Sequence, residues 1–135
     1  MEPIKLSIEQ QQQVEQSLSL VEGVIQCQRI SEPTPQQIQY SIQRAIEMAQ
    51  QFEADKYLID ARGTLPPTAE LRQVLRLFLK NFVGHFEAMA VILDENPTLQ
   101  VSTKFIFHKH DIPENMRFQV CQSIAEGMRF LNQPS

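Results

Sequence analysis

Two short apolar runs constrain this chain more than any other feature. Residues 57–59 read Tyr-Leu-Ile between Lys56 and Asp60, and residues 88–93 read AMAVIL before Asp94. Neither run alternates polar with apolar side chains, as a strand with one wet face does. A strand-length run that is apolar on both sides must be covered on both faces, which is the condition of a parallel strand in an α/β sheet. Parallel neighbours cannot be joined by a tight turn. They need a long crossover, usually a helix.

Helix signals fill the intervals between strands. Thr34 caps a helix that starts at Pro35, and Gln37 sits three residues on, where it closes a capping box. Ile38, Ile42, Ala45, Ile46, Ala49 and Phe52 then form one apolar stripe, opposite Gln36, Gln39, Gln43 and Gln50. After Asp60 a helix is predicted over 70–83, with Gly84 as its stop. Residues 97–107 carry two signals. Leu99, Val101, Thr103, Phe105 and Phe107 alternate as in a strand, while Asn96 and Pro97 make a cap and a first helical position. The need for a crossover between strands at 88–93 and 118–121 decides for a helix over 97–107. A short strand follows at 117–121. Ser123 caps the last helix and Glu126 completes S-x-x-E, with Ala125, Met128 and Leu131 as its apolar side.

Upstream of Thr34, Leu18 and Leu20 alternate with Ser17 and Ser19, and Ile25, Cys27 and Arg29 alternate with Gln26 and Gln28. Glu22 and Gly23 separate the two runs as a two-residue turn, so this stretch reads as a β-hairpin with one polar face. The first residues conflict. Ile4, Leu6 and Ile8 alternate like a strand, but Ser7 and Gln10 have capping-box spacing. The reading taken is an extended arm over 1–15, a single α/β domain over 16–132 and a frayed end at 133–135. The four glutamines at 10–13 read as a solvated face. The predicted fold is a mixed, mostly parallel sheet of four to five strands, with an N-terminal hairpin and about four helices.

A chain of 135 residues is long enough to bury one core without staples. With a net charge of −4 it carries no basic field, which argues against nucleic acid as a partner. Cys27 and Cys121 lie far apart and read as reduced, buried residues, with a disulfide between them left open. The N-terminal residues show neither a long apolar stretch nor a small-residue cleavage site, so no signal peptide is expected, and no run is apolar enough to span a membrane. The expected location is cytoplasmic, with peripheral membrane association open.

Three marks recur at informative separations: ISEPTPQQ, in which a strand ends into a T-P-x-x helix; KYLIDARG, with its acid at the strand end; and FQVCQSIAEGMRFL, a strand, a capped turn and a short terminal helix. In this order they resemble the SpoIIAA-like family, relatives of the STAS domain of anti-sigma factor antagonists, over about 24–132. The resemblance implies a compact α/β domain whose relatives act by binding. Those antagonists carry a phosphorylatable serine after the central strand, in a D-S-S/T-G pattern. The matching loop here is Asp60, Ala61, Arg62, Gly63 and Thr64, with the acid and the glycine but without the paired serine. Thr64 and Thr68 are the nearby hydroxyls, and Thr68 is better read as a helix cap. The overall layout also resembles the lipid-binding CRAL-TRIO domain, which brings apolar ligands and membrane surfaces into view.

Two regions are candidate sites. Asp60, Arg62, Gly63 and Thr64 form a polar loop at a strand's C-terminal end beside a helix start, where anions are favoured. The plainer account, an Asp60–Arg62 contact bracing a turn around Gly63, weighs more, because one acid without a base or nucleophile is not a catalytic set. The predicted helix after it is apolar over far more than one stripe. Arg72, Arg76 and Lys80 recur every fourth residue as a cationic stripe, while Leu79, Phe82, Val83 and Phe86 add to a wide apolar face. Cover by neighbouring helices, a dimer contact or a membrane interface would each suit such a helix. His108, His110 and Asp111 lack further ligands at metal-binding spacing, His85 is a lone histidine near a helix end, and Cys121 at a strand end is better read as packing than as an activated thiol. No P-loop, dinucleotide fingerprint or nucleophile elbow is present, so neither a cofactor nor a metal is expected. The function read from these marks is a non-enzymatic STAS-like interaction domain that binds a protein partner or itself. The alternative is a carrier or sensor of an apolar ligand that reaches membrane surfaces through helix 70–86.

Overall fold

The computed structural model describes residues 6–30, 32–63, 69, 73, 85–94 and 116–133. Eight elements fall within them: α1 (Ile8–Ser17), β1 (Leu18–Val21), β2 (Val24–Gln28), α2 (Pro35–Gln51), β3 (Lys56–Asp60), β4 (Ala88–Ile92), β5 (Arg117–Cys121) and α3 (Ile124–Leu131). The strands form one sheet in the order β1-β2-β3-β4-β5, antiparallel between β1 and β2 and parallel at the other three seams. The mixed, mostly parallel sheet is as expected, and the described residues hold three helices. The helix predicted over 97–107 lies outside the described residues. So does most of the one predicted over 70–83, of which only Gln73 is described, with helical backbone.

The hairpin closes as the sequence requires. Glu22 and Gly23 both have positive φ, 50° and 78°, the backbone of the two-residue turn whose twist matches its strands. The helix α2 also begins as predicted: Thr34 Oγ1 accepts from Gln37 N–H at 3.1 Å, and Gln37 Oε1 accepts from Thr34 N–H at 3.0 Å. It ends in a Schellman motif, with Ala54 N–H donating to Ala49 C=O at 2.9 Å and both alanines buried. The left-handed position of that motif is held by Glu53, at φ 52°, where glycine is usual. Phe52, expected on the buried stripe, is 49% exposed beyond the end of the helix.

The extended arm expected over 1–15 is corrected. Residues Ile8–Ser17 are helical, started by Ser7 and Gln10 in a reciprocal capping box. From Leu6 on, strand-like alternation lost to those cap bonds and Ile8 is exposed, while residues 1–5 lie outside the described residues. Val14 is the buried residue of α1. The rest of its seat is polar: Gln37 donates to Gln13 Oε1 at 2.8 Å and to Gln10 C=O at 3.4 Å, and Glu15 accepts from Arg44 at 3.0 Å and from the Tyr40 hydroxyl. The helix runs straight into β1, with Leu18 N–H as its C-cap donor to Glu15 C=O.

The sheet separates two apolar clusters. On one face Ile25, Cys27, Tyr57, Met89 and Val91 pack with Val14 of α1 and with Ile38, Ile42, Ala45 and Ala49 of α2. On the other, Val24, Leu58, Ala90 and Ile92 pack with Leu131 and Met128 of α3. Every side chain of β4 is buried, as its unbroken apolar run requires. Gly127 lets α3 approach closely, since a Cβ there would lie 2.8 Å from Ile92 Cδ1 and 2.9 Å from Leu58 Cδ1. Of the apolar side expected for α3, Leu131 is buried and Met128 packs beside the same cluster, but Ala125 is exposed and Gly127 is buried instead. Its cap differs too. Ser123 Oγ accepts from Glu126 N–H, but the Glu126 carboxylate returns to Gln122 N–H at 2.9 Å rather than to Ser123. At the other end, the Arg117 guanidinium donates to the Phe130 and Leu131 carbonyls, each at 3.4 Å, and lies 5.3 Å from the centre of the Phe130 ring. A cation there complements the helix C-terminus. Arg117 Nε is an ion-pair neighbour of Glu87 at 3.3 Å without hydrogen-bond geometry.

Candidate functional site

The parallel strands end in a staggered row. Arg29 N–H donates to Asp60 C=O at 2.8 Å, Ala61 N–H to Ile92 C=O at 2.9 Å, and Leu93 N–H to Cys121 C=O at 2.9 Å. These bonds are the last rungs of the three parallel ladders. These rungs fix where the polar residues that follow β3 and β4 emerge, at the sheet edge where α/β proteins place their sites.

The loop after β3 is braced there. Arg62 meets Asp60 with two side-chain bonds, Nε to Oδ1 at 3.0 Å and Nη2 to Oδ2 at 2.9 Å, and its N–H adds a third to Oδ1 at 3.1 Å. Gly63, at φ 74°, turns its N–H onto Asp94 Oδ2 at 2.6 Å. The positive φ is what needs glycine here, for a Cβ at Gly63 would meet nothing within 4 Å. The bonds from Arg62 hold the Asp60 carboxyl below the usual carboxylate range, against the opposing effect of burial. The guanidinium is raised in turn, chiefly by Asp60, with Asp94 adding a smaller attraction. An aspartate ionised this firmly, with both oxygens occupied, is a poor proton donor or acceptor near neutral pH. As it stands, the arrangement is a hydrogen-bonded polar corner.

The sequence placed Asp60, Arg62 and Gly63 together, and the structure brings them together. Asp94 had been read only as the end of its strand. Its bond to Gly63 spans 31 positions and becomes visible only once β3 and β4 are adjacent. Thr64 lies outside the described residues, as do Arg72, Arg76, Leu79, Lys80, Phe82, Val83, His108, His110 and Asp111. Phe86 is corrected. It is 4% exposed and tilts against the Tyr57 ring with centroids 5.2 Å apart, so its side chain belongs to the core and not to an interface. His85 is an exposed turn residue.

Both cysteines are free and buried, on opposite faces of the sheet, which rules out a disulfide between them. Burial raises the Cys27 thiol despite hydrogen bonds with Tyr57, Ser41 and Ser17. The Cys121 thiol is raised by burial and by the charge of Glu126, the reverse of activation. No group of three or more potential metal ligands occurs among the described residues. No described helix is long and apolar enough to cross a membrane.

No protein-family model matches the chain, and no curated protein matches it either.

Proposed function

We propose that this protein is a STAS-like interaction domain that docks a protein partner on the corner after β3, without catalysing a reaction. The observation that carries this reading is the double bracing of the corner, with Arg62 on Asp60 and Gly63 on Asp94. Residues 60–63, braced before they meet a partner, lose little freedom on binding, which favours recognition. The exposed guanidinium of Arg62 and the exposed backbone of Gly63 lie on its outer side. The order of hairpin, capped helix and parallel strands supports the same class.

The test is to isolate a partner by affinity capture, purify it and titrate it against the wild type and an Arg62→Glu variant. A loss of at least about tenfold in affinity is expected, about 1.4 kcal/mol. Unchanged affinity would move the docking surface elsewhere. Co-sedimentation with anionic and neutral liposomes separates this reading from the apolar-carrier alternative, which requires binding that salt weakens.

A further inference from the structure

The strand β1 lies at one edge of the sheet, and its single partner among the described residues is β2. Its sequence, Leu-Ser-Leu-Val, carries no charge and no proline, the devices that usually blunt an edge. Leu20 and Val21 are each 39% exposed.

The hairpin register says which backbone groups face outward. In a two-residue hairpin the closing pair, here Val21 and Val24, exchanges both hydrogen bonds. The next pair, Leu20 with Ile25, then exchanges none, so Leu20 N–H and C=O point away from β2. The pattern repeats at Leu18, but Leu18 N–H is already used to cap α1. Leu20 is therefore the residue of β1 with both outward backbone groups open among the described bonds. The segment is held in shape from both ends, by α1 running into it without a loop and by the Glu22–Gly23 turn.

From this the geometry points to a second copy of the chain as the occupant of the edge, joined by antiparallel pairing of β1 with β1. A two-fold axis normal to the sheet keeps each side chain on its own face. Only registers that oppose residues of equal parity are then allowed. The register centred on Leu20 pairs Leu20 with its own symmetry mate through both open groups and sets Ser19 against the partner's Val21. No like charges meet across this seam, since β1 has none. Leu20 shares a face with Leu18, so the two leucines at the axis cover each other beside the layer of α1 and α2. With four residues on each side the seam is short, and the dimer is weak and reversible. This inference does not rest on the β3 corner, which lies on other strands.

Sedimentation velocity over a wide concentration range tests it. The wild type is expected to dimerise below about a millimolar, the limit of weak association. Leu20→Lys sets two ammonium groups against each other at the axis, and at least about a tenfold weaker association is expected. A mixture of Leu20→Lys with Leu20→Glu restores a heterodimer, an outcome that loss of folding cannot imitate. Val120→Lys on β5, the opposite edge, leaves association unchanged. A wild type that stays monomeric overturns the proposal. So does a dimer that survives Leu20→Lys, or one that Val120→Lys disrupts instead.

Discussion

Gly63 and Asp94 are joined by a 2.6 Å hydrogen bond from backbone to carboxylate, which ties the loop after β3 to the end of β4. A bond to a charged acceptor contributes more than a neutral one, though solvent at an exposed carboxylate weakens it. Asp94→Ala is expected to lower stability by about 1 kcal/mol. Asp94→Asn keeps an acceptor and is expected to lose less. Urea unfolding measures both, and equal losses for the two variants would show that charge, not the bond, is what matters.

The Asp60–Arg62 pair gives an acid-dependent contribution. The folded carboxyl sits below its unfolded value, so the stabilisation is complete above the ordinary carboxylate range. It fades as pH falls through that range and is gone below the folded pKa. Arg62→Ala is expected to return Asp60 toward the ordinary range and flatten this part of the acid limb. Carboxyl carbon chemical shifts against pH follow Asp60 directly. An unmoved titration in the variant would assign the depression to another group.

Glutamates occupy three described backbone positions that favour glycine or asparagine: Glu22 at φ 50° in the hairpin, Glu32 at φ 53° before α2 and Glu53 at φ 52° after α2. Glu22→Asn and Glu53→Gly are each expected to raise stability by about 0.5–1 kcal/mol, because the side chain's strain in that region is relieved. Thermal melts of the single and double variants check this. The gains should add, since the sites sit in separate turns.

Gly127 is where α3 touches the sheet. Alanine would add about 1 kcal/mol of helix propensity. It would also force apart the Leu58 and Ile92 methyls, both fully buried, and overpacking costs about 1–3 kcal/mol. Gly127→Ala is expected to destabilise slightly and Gly127→Val strongly, as read by urea midpoints. A stabilised Gly127→Val would mean that α3 can lift from the sheet at little cost.

The thiols of Cys27 and Cys121 are both shielded and raised. Neither is expected to react with an aromatic disulfide reagent in the folded protein, and both should react in denaturant. A fast native reaction of one equivalent would reveal opening of one face of the sheet.

Much of this architecture was legible because its signals are local. The strands β3 and β4 follow from short apolar runs, and the start of α2 from T-P-x-x with a glutamine at the third position. The helix α1 was misread because its face buries only Val14, so no apolar period marked it, and the Ser7–Gln10 box was the true signal. On α3 the packing of Met128 and Leu131 was legible, but that of Gly127 was not, because a glycine leaves no hydrophobic mark. At the candidate site the Asp60–Arg62 pair is two residues apart and could be read directly. Asp94 could not, since only the pairing of β3 with β4 brings it near.

Gln37 holds two elements with one side chain. Its carbonyl oxygen secures the first turn of α2 and its amide nitrogen grips α1. Truncating it would loosen both helices at once, so their melting is coupled rather than sequential. In hydrogen exchange, α1 and the first turn of α2 should open as one cooperative unit, ahead of the central strands.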